Sequence, residues 1–290
     1  MATNTPFGQR LGLVLEGGAM RGIYTAGVLD VFLEAGIMPD VVVGVSAGAL
    51  HGCSYVAGQK GRSIRYYRKY RSDKHFMGLY SLLTTGDVVG TKFCYEDIPL
   101  RLDPFDEAAF EKAPVDFYVT VTNVRTGKPE YILCDELKVG SKMDVIRAGA
   151  SMPLCSKMVE WNGNLYLDGG VSDSIPYAKM KDFGCRKSIV VLTQPAGYLK
   201  QPAAMVPFEA MYRKYPAFVE AMRGRDQMYN TEVCAVEQAA KQGDVFLIRP
   251  SKLLHVGRME HDIEVLNAQY ELGRQNARNQ MDAMREWMER

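Results

Sequence analysis

No apolar run in this sequence approaches the ~20 residues that a membrane-crossing helix needs; the longest are strand-sized. No CxxC pair occurs among the six cysteines, Cys53, Cys94, Cys134, Cys155, Cys185 and Cys234, and no two are spaced like a zinc knuckle. Their loose spacing, in a chain too large to need staples, predicts reduced and mostly buried thiols. Net charge is almost absent: 35 Lys and Arg against 34 Asp and Glu leave +1. That lacks the basic bias of a nucleic-acid-binding domain. The first residues, MATNTPFGQR, have no apolar core of the signal-peptide type, so a soluble, cytoplasmic protein is expected. Histidine is scarce as well, with only His51, His75, His255 and His261. Asp and His spacings assemble no metal site, and activity without calcium or any cofactor is expected.

What is present suits a globular protein. The 290 residues are 47% hydrophobic and 24% charged, enough for a sizeable core. Leu11 to Leu15 reads as a buried strand, and Glu16 to Gly22 (EGGAMRG) as a glycine-rich turn. Ile23 to Ala35 has apolar residues at helical spacing and is closed by Gly36. Val41 to Val45 is a second strand, and Ala47 to Ala57 a small-residue helix. Strand, helix, strand, helix argues for a parallel sheet with right-handed crossovers. Further strands are expected at Val115–Val124, Glu130–Leu133, Leu165–Leu167, Ser188–Thr193 and Val245–Ile248. Ser141 precedes Asp144 by three residues, a capping-box-like start for a helix over 142–149. After Pro202 one helical face is expected to gather Phe208, Met211, Tyr212, Tyr215, Phe218, Val219 and Met222. Glu260 to the end reads as a long amphipathic helix, packed on the domain or on a second subunit. No repeat or linker interrupts the chain. One α/β domain over 1–290 is expected, with a core over about 10–195 and a helical extension over about 196–290.

Three strand ends carry the chemistry. In Gly44-Val45-Ser46-Ala47-Gly48 the glycines permit a sharp strand-to-helix bend and leave Ser46 at the carboxyl edge of the sheet. The following helix aims its N-terminal amides and positive dipole end at the same spot. A tight turn with an incidental N-cap serine is the plainer alternative. The loop Glu16–Gly22 follows the first strand, but Gly17, Gly18 and Gly22 miss the G-x-G-x-x-G spacing of dinucleotide sites. It can instead present backbone amides beside Ser46 as an oxyanion hole, with Arg21 adding a fixed charge. Leu167-Asp168-Gly169-Gly170 is the third strand end. A nucleophilic serine needs a base, and Asp168 has the glycine-rich setting that all four histidines lack.

EGGAMRG, GVSAG and LDGG, in this order, resemble the three motifs of the patatin-like phospholipase family. The blocks Arg147–Pro153 (RAGASMP) and Gly163–Gly170 (GNLYLDGG) are similar to that family too, and the likeness covers about residues 10–195. It implies a three-layer α/β/α fold with a mainly parallel sheet. It implies a serine hydrolase with a Ser–Asp dyad, acting on acyl esters of phospholipids, lysophospholipids or neutral glycerolipids. Carried over by position, Ser46 is the nucleophile and Asp168 the base. Gly17, Gly18 and Ala19 form the oxyanion hole, supported by Arg21, Gly22, Gly44, Gly48, Gly169 and Gly170. One departure stands out: the family usually has a third glycine where this chain has Ala19. The amide survives, but the loop is then expected to avoid a conformation that only glycine tolerates.

Two segments are candidates for lipid contact, which would make the protein peripheral on a membrane. Lys60–Lys74 holds seven Lys or Arg, one acid and three tyrosines. It suits anionic head groups, or a solvated helix with Tyr67 and Tyr70 turned inward. The stretch Phe208–Met222 suits a lid, an acyl-pocket wall or ordinary core. Rival readings are an α/β-hydrolase triad of Ser46, Asp168 and His255, an acyltransferase, and a silent lipid-binding protein. The triad reading is opposed by the early elbow, which follows only two strands.

Overall fold

A computed structural model describes residues 5–253, 255–257 and 259–290. Strand β1 (Arg10–Leu15) passes through the glycine loop and a short 3-10 turn (Ala19–Gly22) into α1 (Ile23–Ala35). β2 (Val41–Val45) turns directly into α2 (Ala47–Val56). Helices α3 (Arg62–Tyr70) and α4 (Leu79–Thr85), a π-helical stretch (Phe93–Leu102) and α5 (Glu107–Lys112) follow. β3 (Asp116–Asn123) and β4 (Pro129–Leu133) form a hairpin. α6 (Met143–Gly149) leads to β5 (Val159–Trp161), β6 (Asn164–Asp168) and then β7 (Cys185–Val191). The rest comprises α7 (Val206–Met211), α8 (Pro216–Arg223), α9 (Arg225–Gln242), β8 (Val245–Ile248) and α10 (Ile263–Glu289).

The sheet runs β5-β6-β3-β2-β1-β7-β8, with β4 also on β3. The five strands from β3 to β8 are parallel, and β4, β5 and β6 pair antiparallel. Parallel strands are covered on both faces, so near-continuous apolar runs such as Val41–Val45 suit them. Alternation divides β1 between two cores. Leu13 and Leu15 pack with Tyr24, Val28 and Phe32 of α1. Val14 packs with Tyr229 and Val236 of α9 on the other face. Helices on both faces of one sheet make the three-layer α/β/α architecture.

The terminal helix α10 packs on α1 with its backbone almost touching. A Cβ on Gly27 would stand 2.1 Å from the carbonyl oxygen of Tyr270, and one on Gly273 2.1 Å from that of Tyr24. Two hydroxyls clasp the crossing: Tyr24 donates to Asn276 Oδ1 at 3.1 Å, and Tyr270 to Asp30 Oδ2 at 2.5 Å. No helix among the described residues is long and apolar enough to cross a membrane. All six cysteines are free thiols, of which Cys53, Cys94, Cys134 and Cys185 have pKa values raised by burial.

Two local expectations are corrected. The stretch after Pro202 is not one helix: Tyr215, extended before Pro216 (φ −129, ψ 67), separates α7 from α8, because proline disfavours the helical region for its predecessor. Met211 accordingly points outward, 60% exposed, instead of joining the apolar face. Ser141 does not cap α6; its hydroxyl donates to Glu136 Oε1 at 2.5 Å, and Asp144 pairs with Arg147 at 3.0 Å.

Candidate active site

Sheet register brings Ser46 and Asp168 together. Val45, the last residue of β2, pairs with Thr120 of β3; Asp168, the last of β6, pairs with Val121 on the other flank of β3. The two residues therefore stand at one level, about two strand spacings (~10 Å) apart in backbone, close enough for the Ser46 hydroxyl to lower the Asp168 pKa. Ser46 adopts φ 53 and ψ −122, a strained geometry for a residue with a Cβ. Close packing enforces it: a Cβ on Gly48 would lie 2.3 Å from the carbonyl oxygen of Leu15. One on Gly44 would lie 2.5 Å from Cα of Ala49. The bend is therefore available only with glycine on both sides, and Ser46 is left at the mouth of two cavities.

Asp168 is gripped on every side. Its N–H donates to the Ser151 carbonyl at 2.9 Å, its own carbonyl accepts from Thr122 Oγ1 at 2.8 Å, and Oδ1 accepts from the Gly170 N–H at 2.8 Å. Burial raises its pKa above the ordinary aspartate value. The Ser46 hydroxyl, the Arg225 charge, the Gly170 amide and the Lys200 charge oppose that shift. Gly169 is required for the approach, since a Cβ there would meet the Thr120 carbonyl oxygen at 2.2 Å.

The glycine loop wraps the serine. A Cβ on Gly17 would stand 2.8 Å from Ser46 Cβ, one on Gly18 2.7 Å from Thr193 Oγ1, and one on Gly22 2.6 Å from Ala47 Cβ. Ala19 takes φ 48. The loop thus does not avoid the left-handed region: alanine occupies the conformation that glycine would hold, at a cost of about 1–2 kcal/mol. Glu16 anchors the loop from below. It accepts from the Thr193 N–H at 2.5 Å, Thr193 Oγ1 at 3.1 Å and the Tyr229 hydroxyl at 2.9 Å. Burial raises the pKa of this carboxyl.

Two cavities meet at Ser46, Ala19 and Met152. One, of ≈ 110 Å³, is apolar and extends between α2, α3, α6 and the π-helical stretch, past Leu50, Tyr66, Phe76, Tyr95, Ile98 and Ile146. The other, of ≈ 350 Å³, has a mixed lining that contains Asp168, with Arg21, Lys200 and Arg225 in its wall. Arg21 Nε is buried without a hydrogen-bond partner. Arg225 Nε donates to the Gly170 carbonyl at 2.5 Å.

None of the four histidines lines either cavity. His255 is exposed. His51 is buried on α2, with Nδ1 3.0 Å from Ser63 Oγ, and burial lowers its pKa to about 4, so the ring is neutral. His75 contacts Asp73 at the surface. No group of three His, Cys, Asp or Glu side chains suited to a metal ion occurs among the described residues. The basic stretch Lys60–Lys74 turns inward more than its composition suggested. Tyr66, Tyr67 and Tyr70 are buried, and so are two of its arginines. Arg62 donates to the Asp103 carbonyl at 2.8 Å, and Arg71 Nε to the Glu260 carbonyl at 2.6 Å. Phe208 and Met222 line the larger, mixed cavity, not the apolar one. Sequence reasoning missed Lys200, Arg225 and Tyr229. A faint signal exists for two of them: Arg225 and Tyr229 are four apart and share one face of α9.

A family model described as patatin-like phospholipase matches residues 13–180, and one described as a domain of unknown function (DUF6363) matches residues 215–289. The uncharacterized protein YjjU of Escherichia coli (strain K12) is 29% identical over 276 residues, covering 91% of this chain and 75% of its own. Lysophospholipase nte1 of Aspergillus terreus is 30% identical over 182 residues, or 61% of this chain, and the match spans 11% of that protein's length. Lysophospholipase NTE1 of Saccharomyces cerevisiae is 30% identical over 190 residues, with 63% and 11% covered. Among solved structures, VipD from Legionella pneumophila aligns over 96% of this chain and 67% of its own, with TM-score 0.48 and 13% identity.

Proposed function

The chain belongs to the patatin-like phospholipase family, and on that premise we propose that it is a lipid acyl hydrolase of the phospholipase A or lysophospholipase type. Ser46 is the nucleophile, Asp168 its base, and the amides of Gly17, Gly18 and Ala19 the oxyanion hole. One observation carries this reading. A strained serine beside a buried aspartate stands where an apolar cavity meets one whose wall carries Arg21, Lys200 and Arg225. An amphiphilic ester fits that junction, with its acyl chain in the apolar cavity and its head group facing Arg21, Lys200 and Arg225.

The chemistry then follows from proton bookkeeping. Ser46 Oγ attacks the ester carbonyl carbon while its proton passes to the Asp168 carboxylate. Negative charge gathers on the carbonyl oxygen, beside the loop amides. One such donor is worth ~100- to 1000-fold in rate. Collapse expels the alcohol, which takes the proton from Asp168 and leaves an acyl-Ser46 ester. Water repeats the cycle and frees the fatty acid. An aspartate is a weak base in water, and burial makes Asp168 a stronger one. Proton transfer therefore stays within two side chains and involves no histidine.

A fluorophosphonate probe with mass analysis of the adduct tests this assignment. Wild type is expected to label on Ser46, Ser46→Ala not at all, Asp168→Asn weakly, and His255→Ala like wild type. Loss of labelling in the His255 variant would replace the dyad by a triad. An unlabelled wild type would remove Ser46 as nucleophile.

A further inference from the structure

We propose that the apolar tip formed by α4 docks the protein on an anionic phospholipid bilayer, at the end of the path that leads lipid to the apolar cavity. The proposal rests on the acyl-ester reading above. Helix α4 crowns a loop whose stem is closed by an antiparallel bridge between Met77 and Val89, with the Gly78 N–H donating to the Val88 carbonyl at 2.8 Å. Both bridge residues line the apolar cavity that ends at Ser46. The crown above them turns apolar groups to water: Leu79 is 70% exposed, Leu83 76%, Tyr80 41% and Leu82 39%. Leu79 and Leu83 stand four apart, on one side of the helix.

Charge identifies the occupant. Residues 76–86, FMGLYSLLTTG, contain no ionisable acid or base other than Tyr80. Two lysines touch them. The Lys74 ammonium lies 4.5 Å from the Tyr80 ring centre, and Lys157 Nζ donates to the Thr85 carbonyl at 2.7 Å, at the negative end of α4. Lys92 is exposed nearby along the chain. The two acids at the base are engaged. Asp73 accepts from the His75 N–H and contacts its ring, and Asp87 accepts from the Lys157 N–H and the Thr91 hydroxyl. An apolar crown flanked by lysines complements a bilayer surface, where leucines enter the acyl boundary and lysines meet anionic head groups.

A second exposed element is braced to the same mouth. The segment that donates Leu154 N–H to the Tyr212 hydroxyl, just after α7, also offers the Cys155 carbonyl to Val88 N–H in the stem. On α7, Val206 and Met211 are exposed while Phe208 lines the larger cavity that contains Asp168. The two exposed apolar elements thus flank the openings that lead to Ser46.

Co-sedimentation with phosphatidylcholine vesicles, with and without phosphatidylglycerol, tests the surface. Wild type is expected to bind the anionic vesicles. Leu79→Asp/Leu83→Asp is expected to bind at least about tenfold more weakly, since each leucine's burial is worth about 1.5 kcal/mol or more. The same variant is expected to keep its melting temperature, fluorophosphonate labelling of Ser46 and turnover of a water-soluble short-chain ester. Leu83→Trp is expected to shift its emission to the blue with vesicles. A wild type that ignores anionic vesicles, a double variant that binds them equally well, or an unmoved Leu83→Trp spectrum overturns the proposal. So does a wild-type dimer that the double variant splits, which would assign the patch to a second copy. A wild type that binds vesicles but fails to label at Ser46 overturns the ester reading instead, and leaves the docking surface standing.

Discussion

The Arg225 guanidinium donates to the carbonyl oxygen of Gly170 at 2.5 Å, two residues beyond Asp168, whose Oδ1 accepts from the Gly170 N–H. One peptide segment thus connects the first residue of α9 to the proposed base. Arg225 also lowers the Asp168 pKa, against the burial that raises it. Arg225→Met is expected to move the acid limb of the pH–rate profile upward and to cut kcat about tenfold near neutral pH. The loss should shrink as pH rises and Asp168 regains its charge, and Arg225→Lys should fall between. An unshifted acid limb would make Arg225 a scaffold residue only.

Ala19 holds φ 48 in the glycine loop. Replacing it with glycine removes the steric penalty, partly offset by the greater freedom of the unfolded chain. Ala19→Gly is expected to raise stability by about 0.5–1 kcal/mol in denaturant unfolding. Ala19→Val should lower it, because a branched Cβ is still less tolerant of positive φ.

A half-buried acid pair fixes α9 to the loop that follows Asp168. Glu232 and Asp173 stand close enough for the charge of one to act on the other, Tyr131 donates to Asp173, and Glu232 Oε2 accepts from Ile175 N–H at 3.0 Å. Burial, and then the charge of Asp173, push Glu232 up to about 9. Its folded pKa is raised, so its stabilising contribution is complete below the ordinary glutamate pKa of ~4.3 and is lost as pH climbs through about 9. Denaturant midpoints measured from about pH 6 to pH 10 should fall in wild type. In Glu232→Gln, which keeps a donor and cannot ionise, the fall should be smaller.

Gly27 and Gly273 allow α1 and α10 to cross at backbone contact. Gly27→Ala forces a methyl group towards the Tyr270 carbonyl, which stands 2.1 Å from the ideal Cβ position. It is expected to cost about 1–3 kcal/mol, read as a lower urea midpoint, although alanine is the better helix former. An unchanged midpoint would show that the helices can part without loss.

Local signals made much of the core legible. The helix from Ile23 to Ala35 and the strand from Val41 to Val45 were readable to the residue, because apolar periodicity and flanking glycines act within a few positions. The elbow at Ser46 and the strand end at Asp168 were readable for the same reason. Their meeting was not, since it depends on β3 standing between them in register. Arg225 was hidden too: α9 reaches the site only through tertiary packing. The strain at Ala19 eluded sequence logic, because alanine's own preference is for negative φ.

The helix crossing also has a consequence for biosynthesis. Gly27 is translated 246 residues before its partner Gly273. At about 5–20 residues per second that interval is roughly 12–50 s. Throughout it, the helix that follows the glycine loop has an open groove where α10 will later lie. Completion of the nucleophile's surroundings thereby waits on the synthesis of α10, and a nascent chain that has not yet reached it would lack this buttress.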